Sequence, residues 1–210
     1  ATYYSDGSSD YTTPFEGCSS LKEITVDEGV TSIPKHAFRY MTSLETINLP
    51  ESLTSISVYA FEGCTALKVI EFPETLVAIG SCAFRDCSGL KEITIPETVT
   101  VINGHTFSGC TGLKAVNLPD TLETIYAYAF DGCLFESIDI PDKVTTIASR
   151  AFNNCTKLSE VGYPSGWTTV LDHYRNSATY YSDGSSDYTT PFEGCSLLKE
   201  ITVDEGVTSI

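Results

Sequence analysis

Residues 61–79 read FEGCTALKVIEFPETLVAI, and the same pattern returns on either side of them. Phe15, Phe38, Phe61, Phe84, Phe107 and Phe130 stand 23 residues apart, and Phe152 follows after 22. Cys18, Cys64, Cys87, Cys110, Cys133 and Cys155 each trail their phenylalanine by three residues, and Met41 alone breaks that column. Leu21, Leu44, Leu67, Leu90 and Leu113 come next, then Ile24, Ile47, Ile70, Ile93 and Val116. Val26, Leu49, Phe72, Ile95 and Leu118 follow two residues later, usually with Pro behind them, and Ile33, Ile56, Ile79, Ile102, Ile125 and Ile147 close the period. So many columns held in phase identify a stacked-repeat architecture.

Within one period, L-x-x-I-x-I puts successive side chains on opposite faces of a short strand. The proline behind it lacks a backbone donor and ends the pairing. The later L-x-x-I is a second short extended piece, and the A-F-x-x-C corner reads as a helical or 3₁₀ turn on the opposite side. A lone period buries almost nothing, so the columns must pack on themselves down a right-handed coil. The expected fold is a repeat solenoid with one parallel sheet of eight strands, at 24–26, 47–49, 70–72, 93–95, 116–118, 138–140, 161–163 and 201–203. At about 4.8 Å per strand, seven steps make the sheet about 34 Å long.

A longer period lies over the short one. Residues 178–210 repeat residues 1–33 with one change, Ser20 to Leu197, at an offset of 177. That unit is seven short repeats, the last stretched by an insertion at 171–191. The reading is a single solenoid over 1–210, a fragment of a parent that carries the 177-residue unit in tandem. A fragment cut in this way is expected to associate end to end through its last strand.

Composition narrows the function. With 28 acidic against 12 basic residues the net charge is −16, the wrong sign for nucleic acid or for anionic lipid. No apolar run approaches the roughly 18 residues of a membrane span, so direct membrane insertion is not expected.

The repeat at 61–79 resembles the leucine-rich repeat of BspA-like proteins, the Treponema pallidum type. The resemblance covers about 12–170 and 189–210. A generic leucine-rich repeat carries Asn or Cys just after the strand and has no A-F-x-x-C corner. Departures are the short sixth turn at Cys133-Leu134-Phe135 and the insertion. The resemblance implies a secreted or cell-surface protein concerned with adhesion. It supplies no catalytic residue.

Candidate sites follow from position in the repeat. Outward strand positions hold Glu23, Thr25, Thr46, Asn48, Glu71, Glu92, Thr94, Asn117 and Asp139. Short polar groups on a rigid sheet suit contact with a protein or glycan partner. The insertion offers Tyr174, Tyr180, Tyr181 and Tyr188 among Ser and Asp, a paratope-like composition. The cysteine column predicts buried free thiols, because parallel Cβ vectors about 4.8 Å apart exceed disulfide reach. Cys82 lies outside that column, at a position shared with His36, Tyr59, His105, Tyr128 and Arg150. That position is read as exposed, so Cys82 is expected to be the reactive thiol, with no orienting group to make a nucleophile of the Cys82–His105 pair. Histidines 36, 105 and 173 lack ligand spacing. The acidic column Glu51, Glu74, Glu97, Asp120 and Asp142 is weighed for Ca²⁺ and set aside beside its lysines. No cofactor, metal or catalytic residue is assigned. The expectation is a non-enzymatic binding module, with a spacer or coat module as the alternative.

Overall fold

The protein is described by a computed structural model that covers residues 15, 18, 20–163, 169–171 and 190–203. The chain winds through coils that each contribute two short strands. Odd-numbered strands line the front: β1 (Glu23–Thr25), β3 (Thr46–Asn48), β5 (Val69–Ile70), β7 (Glu92–Thr94), β9 (Ala115–Asn117), β11 (Ser137–Asp139), β13 (Glu160–Tyr163) and β15 (Glu200–Val203). Even-numbered strands form a second column: β2 (Ser32–Ile33), β4 (Ser55–Ile56), β6 (Ala78–Ile79), β8 (Val101–Ile102), β10 (Thr124–Ile125), β12 (Thr146–Ala148) and β14 (Thr169–Leu171). Coils 1 to 8 are counted from the phenylalanines at 15, 38, 61, 84, 107, 130, 152 and 192.

Every pairing is parallel and in the register of the repeat, as in Glu23↔Thr46 and Ile24↔Ile47. The alternation works as the sequence requires: in β3, Ile47 is buried while Thr46 and Asn48 are exposed. The front strands begin one residue earlier than expected. They also form three sheets instead of one, β1-β3-β5, β7-β9 and β11-β13-β15, and the second column divides into β2-β4-β6 and β8-β10-β12-β14. An extra phenylalanine sits at each front break. Phe72, in a column that is aliphatic elsewhere except at Tyr163, stands edge-on to Phe84 at 5.6 Å. Phe135, drawn into the leucine column by the missing residue, stands edge-on to Phe130 and Phe152. These rings mark the places where the front strands separate, although Tyr163, in the column of Phe72, stands in the unbroken pairing of β13 with β15.

The corners hold no helix among the described residues, which corrects the expected helical turn. Their amides serve two purposes in alternation. Ala60, Glu62 and Cys64 donate to Ser57, Tyr59 and Phe61, each closing a tight turn at 3.1–3.3 Å. Tyr59, Phe61 and Gly63 instead donate to Ser81, Ala83 and Arg85 of the next coil at 3.2, 2.8 and 2.7 Å. A helix would satisfy these amides within the coil and leave the stack unlinked. Alternate peptides are turned outward by left-handed residues two before and two after each phenylalanine, such as Tyr59 (φ 59) and Gly63 (φ 72).

Stacking then builds the core. Phenylalanine rings run in one pile from Phe15 to Phe192, with centroids 5.1 to 5.6 Å apart. The step from Phe152 to Phe192 spans the insertion without loss of phase. Burying each ring contributes about 2–3 kcal/mol, and each ring–ring contact about 1 more. Leu44, Leu67, Leu90 and Leu113 are completely buried beside the pile.

Candidate protein-binding face

The front column positions the candidate residues. Odd strand positions point outward because the middle isoleucine points in, and Glu23, Thr25, Thr46, Asn48, Glu71, Glu92, Thr94, Asn117 and Asp139 are all exposed. The structure brings them together as one surface. Asn48 Nδ2 donates to Glu23 Oε1 and Thr25 Oγ1, both at 3.2 Å, and Asn117 Nδ2 donates to Thr94 Oγ1 at 3.0 Å. Each amide ties its coil to outward side chains of the coil before. Glu71, Glu92 and Asp139 have no such partner among the described residues, so their carboxylates point to solvent.

The face is polarised. A basic edge precedes the strands, where Glu45 takes Lys22 Nζ at 2.9 Å and Lys68 Nζ at 2.5 Å. Hydrogen bonds from Lys68 and Lys22, and the charges they carry, hold the Glu45 carboxyl down to about 2. An acidic edge follows the strands. There Glu28 and Glu97 accept the amides of Glu51 and Asp120, at 3.0 and 3.3 Å. Of the acidic column considered for calcium, Glu97 is thus engaged by backbone. Among the described residues no three His, Cys, Asp or Glu side chains gather as metal ligands would.

Sequence reasoning passed over the apolar centre of this face. Where β5 and β7 part, a groove of about 380 Å³ opens, lined by Val69, Phe72, Glu71, Glu92, Lys91 and Thr94. Val69 is 55% exposed. The signal was present, since Val69 fills an outward position that holds Glu or Thr in coils 1, 2 and 4. The insertion residues Tyr174, Tyr180, Tyr181 and Tyr188 lie outside the described residues.

The corner column overturns the reading of Cys82. That position is not exposed: Cys82 is 6% exposed, and its neighbours in the column are half-buried. His36 stacks on Tyr59 at 5.1 Å and His105 on Tyr128 at 4.8 Å. Burial pushes the Cys82 thiol up, away from thiolate, despite a hydrogen bond with Tyr59. It is neither an accessible thiol nor an activated one. Cys18 is the exposed thiol. The cysteines of the main column are free, and those from Cys64 onward have a use. Cys64 donates to Phe38 O at 3.0 Å, and Cys87, Cys110, Cys133, Cys155 and Cys195 repeat the bond at 3.1–3.3 Å.

Sequence reasoning also missed Glu62, which is fully buried and held between Arg39 and Arg85 of the adjacent coils. The same position continues as Ser108, Asp131 and Asn153, with Asn153 Nδ2 2.8 Å from Asp131 Oδ1. This is a polar ladder that locks coils in register, with no reacting geometry.

The sequence matches the model of the BspA type leucine rich repeat region, in 6 copies, over residues 11–134, 78–182 and 125–210. The chain belongs to this family. The chain is also similar to solved leucine rich repeat proteins. A leucine rich repeat protein of T. pallidum is 28% identical over 85% of this chain and 78% of its own, with a TM-score of 0.68. One from Eubacterium ventriosum is 26% identical over 70% of this chain and 46% of its own, with a TM-score of 0.55. A leucine rich cell surface protein from Faecalibacterium prausnitzii is 25% identical over 91% of this chain and 62% of its own, with a TM-score of 0.43. The chain therefore spans less than two thirds of two of these three proteins. No curated protein matches it in sequence. Among the described residues no helix is long and apolar enough to cross a membrane.

Proposed function

We propose that this BspA type chain is a non-enzymatic binding module, secreted or displayed at a cell surface, that recognises a protein or glycan partner through its front strand face. One observation carries the reading: a polar face surrounds a groove with apolar walls at Val69 and Phe72 and charged ones around them, where Glu71 and Glu92 have no hydrogen-bond partner among the described residues. An apolar centre within a polar rim is how protein interfaces are organised, which favours a protein over a glycan. The return of residues 1–33 at an offset of 177 favours the second reading, a spacer that multiplies copies along a parent chain. Surface plasmon resonance against immobilised extracellular-matrix glycoproteins and polysaccharides separates the two. The binding reading expects a ligand whose affinity falls at least tenfold in a chain carrying Val69→Ser, Glu71→Ala and Glu92→Ala. Affinity unchanged by those three substitutions removes the groove from the site, and silence across the panel supports the spacer.

A further inference from the structure

Asn103-Gly104 is the one place in the 210 residues where glycine follows asparagine, and it stands on the junction of coils 3 and 4. Elsewhere the Asn103 position ties its coil to the one before through the backbone. The amides of Ser57, Gly80 and Tyr126 donate to Ile33, Ile56 and Ile102 O at 2.9, 2.8 and 2.9 Å. Here β6 and β8 belong to separate sheets, and the Asn103 side chain takes over, with Nδ2 donating to Ile79 O at 2.7 Å. The Asn103 carbonyl is engaged too, by Thr106 N at 3.3 Å and Thr106 Oγ1 at 2.7 Å. The Gly104 carbonyl accepts from Cys82 N at 3.1 Å, but the Gly104 amide donates to no group among the described residues. Nor does the backbone call for glycine. Its φ lies outside the left-handed region, and Val58, Ser81 and Ala127 fill the same place in coils 2, 3 and 5.

We propose that Asn103-Gly104 is a site of spontaneous deamidation that uncouples coil 4 from coil 3. Asparagine is a thermolabile residue, and the attacking group here is an unengaged amide on a residue with no side chain to shield it. Gly104 N attacks Asn103 Cγ, the Cγ–Nδ2 bond breaks, and Nδ2 leaves as ammonia with the proton that Gly104 N gives up. Water then opens the cyclic imide at either carbonyl, leaving aspartate or isoaspartate at 103. To react, the carboxamide must swing away from Ile79 O, and the junction that has to yield is the one without a backbone bond at this position. Neither product restores the contact. A carboxylate has no proton to give, so in aspartate two acceptors face each other across the junction. In isoaspartate the main chain runs through the former side chain, and the carbonyl that held Thr106 becomes a free carboxylate. An opening that is transient before the reaction is permanent after it.

Peptide mapping by mass spectrometry of the folded 210-residue chain, held at a pH just above neutral, tests the chemistry. Conversion at Asn103 is expected to run at least tenfold faster than at Asn48, Asn117 or Asn154. Gly104→Ala is expected to slow it at least tenfold, and the added Cβ meets only Ala127 O, at 3.2 Å. Hydrogen exchange tests the consequence. Asn103→Asp carries one product from the start, and exchange at the Cys82 and Thr106 amides is expected to be at least tenfold faster than in the unaltered chain, with Ser57 and Phe130 unchanged. Aged chain compared with fresh chain gives the same readout for the isoaspartate product. Conversion at Asn103 no faster than at the other three asparagines overturns the proposal, as does conversion indifferent to Gly104→Ala. Exchange at Cys82 and Thr106 that stays the same in both Asn103→Asp and aged chain overturns it too.

Discussion

Left-handed backbone decides several residue identities in this chain. Gly132 sits at φ 72 with nothing within 4 Å of where a Cβ would stand. Gly132→Ala therefore isolates the backbone term and is expected to cost about 1 kcal/mol in a urea melt. At Gly63 an added Cβ also meets the Tyr40 ring, so Gly63→Ala is expected to cost more. A loss at Gly132 close to zero would show that the corner relaxes. Sequence alone exposed only half of this device. The glycine two places after the phenylalanine in coils 1, 3, 5, 6 and 8 invites a turn, but the matching position two places before holds His36, Tyr59, Cys82, His105, Tyr128 and Arg150. Histidine is enriched at φ > 0 but tyrosine, cysteine and arginine are not, so the second left-handed site left only a faint compositional trace. Its burial was hidden for the same reason. Cys82 is covered by side chains that arrive from coils 23 residues away, which no local pattern reports.

Columns of like residues give each element a collective chemistry. In the thiol column, burial pushes Cys110 up to about 12 and Cys87 and Cys133 well above their ordinary value near 9. Raised acids stabilise the fold fully below pH 9, and the contribution is lost as pH climbs past 9, where the unfolded chain ionises and the folded chain cannot. Each thiol then costs about 1.4 kcal/mol per pH unit, so three cost about 4. Urea midpoints are expected to fall steeply between pH 9 and 11, and the fall should flatten in a chain with Cys87, Cys110 and Cys133 all replaced by Ala. A midpoint indifferent to pH up to 11 would contradict buried thiols. The junction of coils 3 and 4 is the weak element. Lys114, Glu123 and Tyr126 amides each reach the coil before at 2.9 Å, and those of Lys91, Thr100 and Asn103 do not. Side chains substitute there, Thr98 Oγ1 to Leu76 O at 2.5 Å and Asn103 Nδ2 to Ile79 O at 2.7 Å. Hydrogen exchange is expected to be faster at Lys91, Thr100 and Asn103 than at Lys114, Glu123 and Tyr126. Phe72→Ile should narrow the difference, and equal protection in the unaltered chain would mean the gap closes in solution.

Across the whole molecule, the periodic part was legible and the aperiodic part was not. Phenylalanine, leucine and isoleucine columns fixed coil number, strand direction and core because one rule is repeated in every coil. The broken sheets arise where a single residue departs, Phe72 or Phe135, and a departure tells where the rule fails without telling what replaces it. The groove at Val69 inherits that silence, since it exists only because a sheet opens there. One property of the stack has a mechanical meaning. Among the described residues, backbone hydrogen bonds join each coil to the next along the stack, from the Phe61 amide to Ala83 as from the Phe84 amide to Thr106. A pull from end to end therefore loads these bonds one coil at a time, as in peeling, and never in parallel as in shear. Each coil that lets go releases 23 residues, about 78 Å of extended chain against about 5 Å of stacked length. An optical trap is expected to record low-force steps of about 70–75 Å, and rupture of all coils in one event would refute the peeling geometry. A tether built this way lengthens more than tenfold under load and rewinds from whichever coils remain, so it behaves as an extensible spring between whatever is fixed at its two ends.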